Sequence, residues 1–258
     1  SRETPLTSSL TADNPINAIV LSGGSAYGLA ASDGVMRCLE EHGIGFETGY
    51  AKVPLVCQSC IYDLGYGSAT VRPDSEMGYA ACEKALAGGN PSSGSVGAGT
   101  GATVGKICGM ERAMKSGLGM YAVQLGELRM AAVVAVNALG DIFDSSTGRK
   151  IAGLRTEDGT AFSDSCEELW KMGQRENLFT GNTTIGAVIT NGKFNKAQMN
   201  KIASMTRNAY ARCINPVGTM ADGDSIYAAS AGEVEADLNV AGTLAAYVME
   251  RAIVAAIR

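Results

Sequence analysis

Gly181-Asn182-Thr183-Thr184-Ile185-Gly186-Ala187-Val188-Ile189-Thr190 is the point at which an irregular stretch turns into a strand. Residues 184–190 form a short run rich in apolar and β-branched side chains, the pattern of a buried strand. The preceding stretch, 145–181, is polar and irregular, with the only tryptophan (Trp170) in a candidate helix. It reads as a long surface loop, and loops of that length are usually functional or processed. Beyond the strand, Asn191-Gly192 makes a turn and Asn195 caps a helix with Met199, Ile202, Met205 and Ala209 on one face. Pro216 stops that helix, residues 225–230 read as another strand, and 238–258 as a terminal helix.

Working back from the same point, residues 15–21 read as a buried strand that ends in the glycine-rich turn Ser22-Gly23-Gly24-Ser25-Ala26-Tyr27-Gly28. A helix over 29–41 follows, and strand, turn and helix together form a natural anion or oxyanion cradle. A second strand-like region spans 52–71 and includes Ile61-Tyr62-Asp63-Leu64, with a helix expected over 76–87. Residues 119–126 and 129–137 alternate apolar side chains about Glu127-Leu128, a hairpin signal. Helices and apolar strands in both halves give an α/β or α+β class, with sheet layers covered by helices.

Composition narrows the function. The 258 residues amount to one large domain or two small ones, 46% hydrophobic, and 21 basic against 26 acidic residues leave a net charge of −5. A nucleic-acid or anionic-membrane partner is disfavoured, because both need a concentrated basic patch. No apolar run approaches the roughly 20 residues needed to cross a bilayer. Seven scattered cysteines (38, 57, 60, 82, 108, 166 and 213) form no disulfide framework, and no secretory segment opens the chain, so a cytoplasmic location is expected. Cys57-Gln-Ser-Cys60 is formally CxxC but lacks the second pair of a zinc site or a thioredoxin-like context.

The single histidine removes several mechanisms. His42 follows Glu40-Glu41 and precedes Gly43, the last turn of a helix, where a cation suits the dipole. Triads, cysteine–histidine dyads and multi-histidine zinc centres would all have to use it. The stretch 99–106 resembles a phosphate loop, but Thr100 and Ile107 break GxxxxGK[ST], and 97–102 fits only a loose GxGxxA. A hydrolase without a histidine base can use Ser, Thr or Cys at a chain terminus, whose own α-amine titrates near pH 7.7–8.0. Making that terminus inside a chain requires a scissile bond where a loop enters a strand, and Asn182-Thr183 has this form: the Thr183 hydroxyl can attack the Asn182 carbonyl. An ordinary Asn-Thr turn before a strand has the same form.

The sequence resembles the DmpA-type aminopeptidase family, which includes β-aminopeptidases and nylon-oligomer hydrolases. The resemblance runs through Ser1-Arg2-Glu3-Thr4, residues 19–29 from Ile19 to Leu29, Val53-Pro54, Ile61-Tyr62-Asp63-Leu64, residues 97–106 from Gly97 to Lys106, Val136-Asn137, Asn182-Thr183-Thr184-Ile185 and Asp222-Gly223-Asp224. It implies a four-layer αββα sandwich of the N-terminal-nucleophile hydrolase type. It also implies self-cleavage into 1–182 and 183–258, a homo-oligomer (a tetramer of cleaved protomers), small peptide or amide substrates, and no cofactor or metal. By the same resemblance Thr183 is the nucleophile, Asn182 precedes the cut, and Tyr62, Lys106, Asn137, Asp222 and Asp224 belong to the active site. The Asp-Gly-Asp form is nearer the nylon-oligomer hydrolases, whereas some aminopeptidase members carry Ser and Glu at those two positions.

Each residue also has a physical role. Asn137 can donate its amide to a developing oxyanion, worth roughly 3 kcal/mol in comparable sites, or be a satisfied strand-end residue. Backbone N–H groups of Gly23, Gly24 and Ser25 can complete that hole. Lys106 can manage the nucleophile's proton or bond the Asn137 carbonyl, or simply be a surface lysine. Asp224, with Asp222, can orient the new ammonium of Thr183, or both can be solvated loop charges. Tyr62 can donate to the tetrahedral intermediate or pack on its strand. The expected function is release of N-terminal amino acids from peptides, amides or esters through a threonine acyl-enzyme. The alternatives are an endo-acting amide-oligomer hydrolase and an uncut, non-catalytic binding protein.

Overall fold

A computed structural model describes residues 1–88, 91–173 and 181–257. Its main elements are β1 (Ala18–Ser22), α1 (Ala31–Glu41), β2 (Val56–Cys60), α2 (Ser75–Leu86), β3 (Leu118–Leu125) and β4 (Leu128–Ala135). There follow β5 (Asp141–Asp144), β6 (Arg149–Ala152), α3 (Ser165–Met172), β7 (Ile185–Gly192), α4 (Lys196–Cys213), β8 (Ser225–Val234) and α5 (Leu238–Ala255). The helices begin where side chains can satisfy orphan N–H groups. Asp74 caps α2, Asp237 caps α5, and Asn195 and Gln198 form a reciprocal capping box on α4.

Four strands form the principal sheet in the order β8-β7-β4-β3, with β7 parallel to β8 and the other pairs antiparallel. Period-2 alternation gives this sheet two apolar faces. Met130, Ala132, Val134 and Val188 face one way, into the large core with Met199 and Ile202 of α4 and Val248, Met249 and Ile253 of α5. Ala187 faces the other way, with Val133, onto Ile19, Leu21 and Cys57 of the parallel pair β1–β2. The intervening residues of that pair, Ala18, Val20 and Val56, meet Val35, Cys38 and Leu39 of α1 and Cys82 of α2.

Several expectations need correction. Ile61-Tyr62-Asp63-Leu64 is not strand: β2 ends at Cys60, and the chain leaves the sheet so that Asp63 can bind the turn after β1. The stretch expected as irregular loop holds the end of the hairpin β5–β6 besides the helix expected around Trp170, which is α3, while its residues 174–180 lie outside the described ones. Asn191-Gly192 continues β7 through a register shift rather than ending it. By length and composition α5 is one helix long and apolar enough to cross a membrane, although no uninterrupted apolar run is present. Half of it is buried in the protein, against α4 and the sheet. Cys57 and Cys60, three apart on an extended strand, point to opposite faces and cannot chelate one ion as a pair.

Register explains the position of the site. Ile185 pairs with Ala135 on one side and Ser225 on the other. Thr183 two residues before it, Asn137 two residues after Ala135, and Asp224 just before Ser225 therefore meet at one end of the central strands.

Candidate active site

Parallel pairing continues past the end of β7, with an isolated bridge between Asn182 and Asp222. The Asn182 carbonyl accepts the Gly223 N–H at 3.0 Å, and the Thr184 carbonyl accepts the Ser225 N–H at 3.2 Å. The hydroxyl Oγ1 of Thr183 donates to the same Asn182 carbonyl oxygen. The bond between Asn182 and Thr183 is thus held by an N–H on its carbonyl while the neighbouring hydroxyl lies against it. Gly223 was not among the expected site residues; its contribution is a backbone N–H, which no side chain announces.

On the other side, the Thr183 N–H donates to the Asn137 carbonyl at 3.0 Å. Lys106 donates its Nζ to that same carbonyl at 3.2 Å and to Asn137 Oδ1 at 2.8 Å. It is placed there because the backbone N–H groups of Gly105 and Lys106 bond the carbonyls of Gly140 and Leu139, just beyond Asn137. Lys106 is buried, not a surface residue. Burial pushes its pKa down to about 7, opposed by the carboxylates of Asp222, Asp63 and Asp224. An amine that titrates near neutrality, bonded to the acceptor of Thr183 N–H, is suited to general-base work.

Asn137 is fully buried. Besides holding Lys106, its Oδ1 accepts the Thr103 N–H at 3.1 Å, and its Nδ2 donates to the Tyr62 carbonyl at 2.9 Å. The carboxamide thus ties its own segment to residues 103–106 and to Tyr62. The Tyr62 ring lies on Gly181, where a Cβ would fall 2.1 Å from a ring carbon.

The carboxylates divide their work. Asp224 Oδ1 accepts the Thr184 N–H at 2.7 Å. Burial raises its pKa to about 6 and the charge of Asp222 adds to the rise, while the Thr184 bond, Arg207 and Lys106 oppose it. Asp222 Oδ2 accepts both the N–H (2.9 Å) and the hydroxyl (2.8 Å) of Thr219, which shapes the turn presenting Gly223.

In the turn Gly23-Gly24-Ser25, two of the amides have partners within the chain. The Gly24 N–H donates to Asp63 Oδ1 at 2.7 Å and the Ser25 N–H to the Ile61 carbonyl at 2.9 Å. With those amides engaged within the chain, the donor on the Asn182 carbonyl is Gly223 instead. Asp63, also unexpected, helps line a cleft of about 180 Å3 with Tyr62, Tyr66, Thr103, Lys106 and Gly181, beside the Asn182–Thr183 bond.

Gly223 yields a first prediction. A Cβ there would lie 2.9 Å from Thr183 Oγ1, closer than real Cβ atoms tolerate. Gly223→Ala should displace the hydroxyl and, where that hydroxyl cuts the Asn182–Thr183 bond, slow the cut about 100-fold, the usual effect of a misplacement near 1 Å. Denaturing gels over time measure this, and cutting at the unaltered rate would refute it.

A model of peptidase family S58 matches residues 7–258. An uncharacterized aminopeptidase of Mycobacterium leprae (strain TN) is 36% identical over 244 residues, 92% of this chain and 66% of the relative. A 6-aminohexanoate-oligomer endohydrolase of Kocuria sp. (strain KY2) is 34% identical, over 85% of this chain and 61% of its own length. The chain spans slightly less than two thirds of the length of these curated relatives. Among solved structures, the L-aminopeptidase D-Ala-esterase/amidase of Ochrobactrum anthropi, described as a new variant among the Ntn hydrolase fold, superposes with a TM-score of 0.54. It is 18% identical, over 90% of this chain and 63% of that one. The mixed α/β fold of this chain is of that type.

Proposed function

The chain belongs to peptidase family S58, and from that premise we propose that it is a self-processing hydrolase in which Thr183 becomes an N-terminal nucleophile. The carrying observation is the Asn182 carbonyl, held by the Gly223 N–H while Thr183 Oγ1 lies against it. In the processing step Oγ1 attacks the Asn182 carbonyl carbon and its proton passes to neutral Lys106. The Gly223 N–H stabilises the oxyanion. The C–N bond then breaks, the nitrogen takes up a proton, and an ester links Asn182 to Oγ1. Water hydrolyses the ester and leaves a carboxylate on Asn182 and a free α-amine on Thr183.

The freed amine starts next to the Asn137 carbonyl, close to Lys106 and one residue from the bond between Thr184 and Asp224. It then serves as the base when Oγ1 attacks a substrate amide. The leaving amine departs, an acyl-enzyme forms, and water releases the acid. Asp63 at the cleft offers a carboxylate to the cationic end of a peptide, which favours release of N-terminal residues from peptides, amides or esters. The alternation of core contacts supports a layer order of α1–α2, β1–β2, principal sheet and α4–α5, a four-layer sandwich. The proposal takes the chain as one hydrolase domain cut after Asn182. It includes a homo-oligomer and a reducing cytoplasmic location; all seven cysteines are free, which supports the latter.

The direct test is intact mass and N-terminal sequencing, followed by turnover of amino-acid p-nitroanilides, peptide amides and amide oligomers. A fragment beginning Thr183-Thr184-Ile185 with activity on the first two substrate types is expected. Activity on oligomers alone would replace exo-action by endo-action, and an uncut, inactive protein would leave only a binding role. Asp224→Asn preserves the acceptor for Thr184 and should lower kcat at least about 100-fold with little change in Tm. Parallel loss of Tm and kcat would make Asp224 structural.

A further inference from the structure

We propose that the facing ends of α1 and α2 form a site for one soft divalent cation, zinc by its donor chemistry, held by Cys38, His42 and Glu83 with Cys82 beside them. The site follows from how the two helices cross. A Cβ at Gly34 would fall 1.7 Å from the Ser75 carbonyl oxygen, and one at Gly78 would fall 1.9 Å from that of Ala31. The backbones therefore touch at these glycines. One turn further on, residues i+4 bring together Cys38 and Cys82, both buried. Another turn along α1 stands His42, and Glu83 of α2 reaches the same point.

The donor atoms are spaced as a metal would need them. Cys38 Sγ lies 4.0 Å from His42 Nδ1 and 3.5 Å from Glu83 Oε1, and these last two are 3.7 Å apart. Tetrahedral zinc with bonds of roughly 2.3 Å to sulfur and 2.0–2.2 Å to nitrogen and oxygen has ligand–ligand edges of about 3.4–3.6 Å. The three edges already lie within about half an ångström of those values. One histidine is enough, since sulfur and carboxylate fill the remaining positions. The Cys38 thiol is at the base, while the His42 and Glu83 side chains are 43% and 44% exposed, so a cation can enter from solvent. Burial, with Cys82 and Glu83 adding to it, pushes the Cys38 thiol up to about 12. The thiol proton is therefore released to solvent as the sulfur–metal bond forms. His42 Nδ1 also lies 2.9 Å from the Cys38 carbonyl, a contact it would exchange for the metal. Such an ion would clamp two helices away from the end of the central strands where Thr183 lies.

The test is titration of the chelator-treated full chain with Zn2+ by calorimetry and with Co2+ by absorbance. One equivalent of either metal should bind, with a thiolate-to-cobalt charge-transfer band and a higher Tm. His42→Gln, at a half-exposed position that tolerates substitution, should weaken binding at least tenfold while leaving amide hydrolysis unchanged. Cys38→Ser should abolish the band, and the double change Cys57→Ser, Cys60→Ser should leave it intact. No saturable binding at one equivalent, equal binding by His42→Gln and Cys38→Ser, or a Cys38–Cys82 disulfide in the reduced-buffer protein would overturn the site.

Discussion

Thr183→Ala is expected to give a single uncut chain with no measurable amide hydrolysis, and the unaltered protein to give fragments ending at Asn182 and beginning at Thr183. The substitution removes the Oγ1 that lies on the Asn182 carbonyl and leaves the strand pairing on both sides intact. The fold should therefore survive while two reactions stop together. Loss of a nucleophile in a comparable hydrolase costs about 10^6 in kcat. Thr183→Ser keeps the hydroxyl and should retain cutting and turnover, each reduced by the freer rotation of an unbranched side chain. Intact mass and turnover on one preparation read both. Cutting at Asn182 in Thr183→Ala would show that another group attacks, and the proposed nucleophile would be wrong.

The second large effect is expected at Lys106. Its ammonium must lose a proton before it can accept one from Thr183, and burial makes that possible at about pH 7. Below that value the neutral fraction falls tenfold per pH unit, so the self-cleavage rate should fall likewise; above it the rate should level off. Lys106→Met should slow cutting about 10^2–10^4-fold, the usual contribution of a general base. Lys106→Arg, charged at every accessible pH, should be as slow, which separates a base from a mere positive charge. The same shift bears on stability. The folded pKa lies below the unfolded value, so the unfolded chain binds more protons between about 7 and 10.5. Stability of the uncut Thr183→Ala protein should thus gain a contribution as pH rises through that window, and lose it on going down to about 7. That contribution should be absent when Lys106→Met is added. A pH-independent cutting rate from 5.5 to 8, or full activity of Lys106→Arg, would remove Lys106 as the base.

How much could be read without coordinates depended on how local each feature is. Capping at Asn195, the strand at 184–190 and the hairpin of β3 and β4 are encoded within a few residues, and they appear where periodicity and cap chemistry put them. The hairpin β5–β6 was hidden because its strands are only four residues each; it is held by Lys150 on Asp141 within it and by pairing of β5 with residues 214–215, in a sheet separate from the principal one. The turn at Gly23 and Gly24 looked like an anion cradle, and it is one, but the anion it holds is the carboxylate of Asp63 from a different loop.

The Asn182-Thr183 pair was legible because attack on one's own preceding carbonyl is chemistry between sequence neighbours. A lone histidine at a helix end likewise ruled out histidine-based catalysis without any coordinates. What turns those neighbours into a site comes from segments 40 to about 120 residues away. Ile185 is registered against both Ala135 and Ser225, which brings Asn137 and Gly223 to one peptide bond, and the Gly105 and Lys106 N–H groups on the Gly140 and Leu139 carbonyls add Lys106. Lys106 is an ordinary lysine in the sequence; only its removal from water lowers its pKa to about 7. The sequence by itself pointed to the bond and the hydroxyl proposed here, through their adjacency together with the family resemblance. Tertiary structure decided what holds the carbonyl and which amine is desolvated nearby, because backbone donors and desolvation exist only once distant strands have paired.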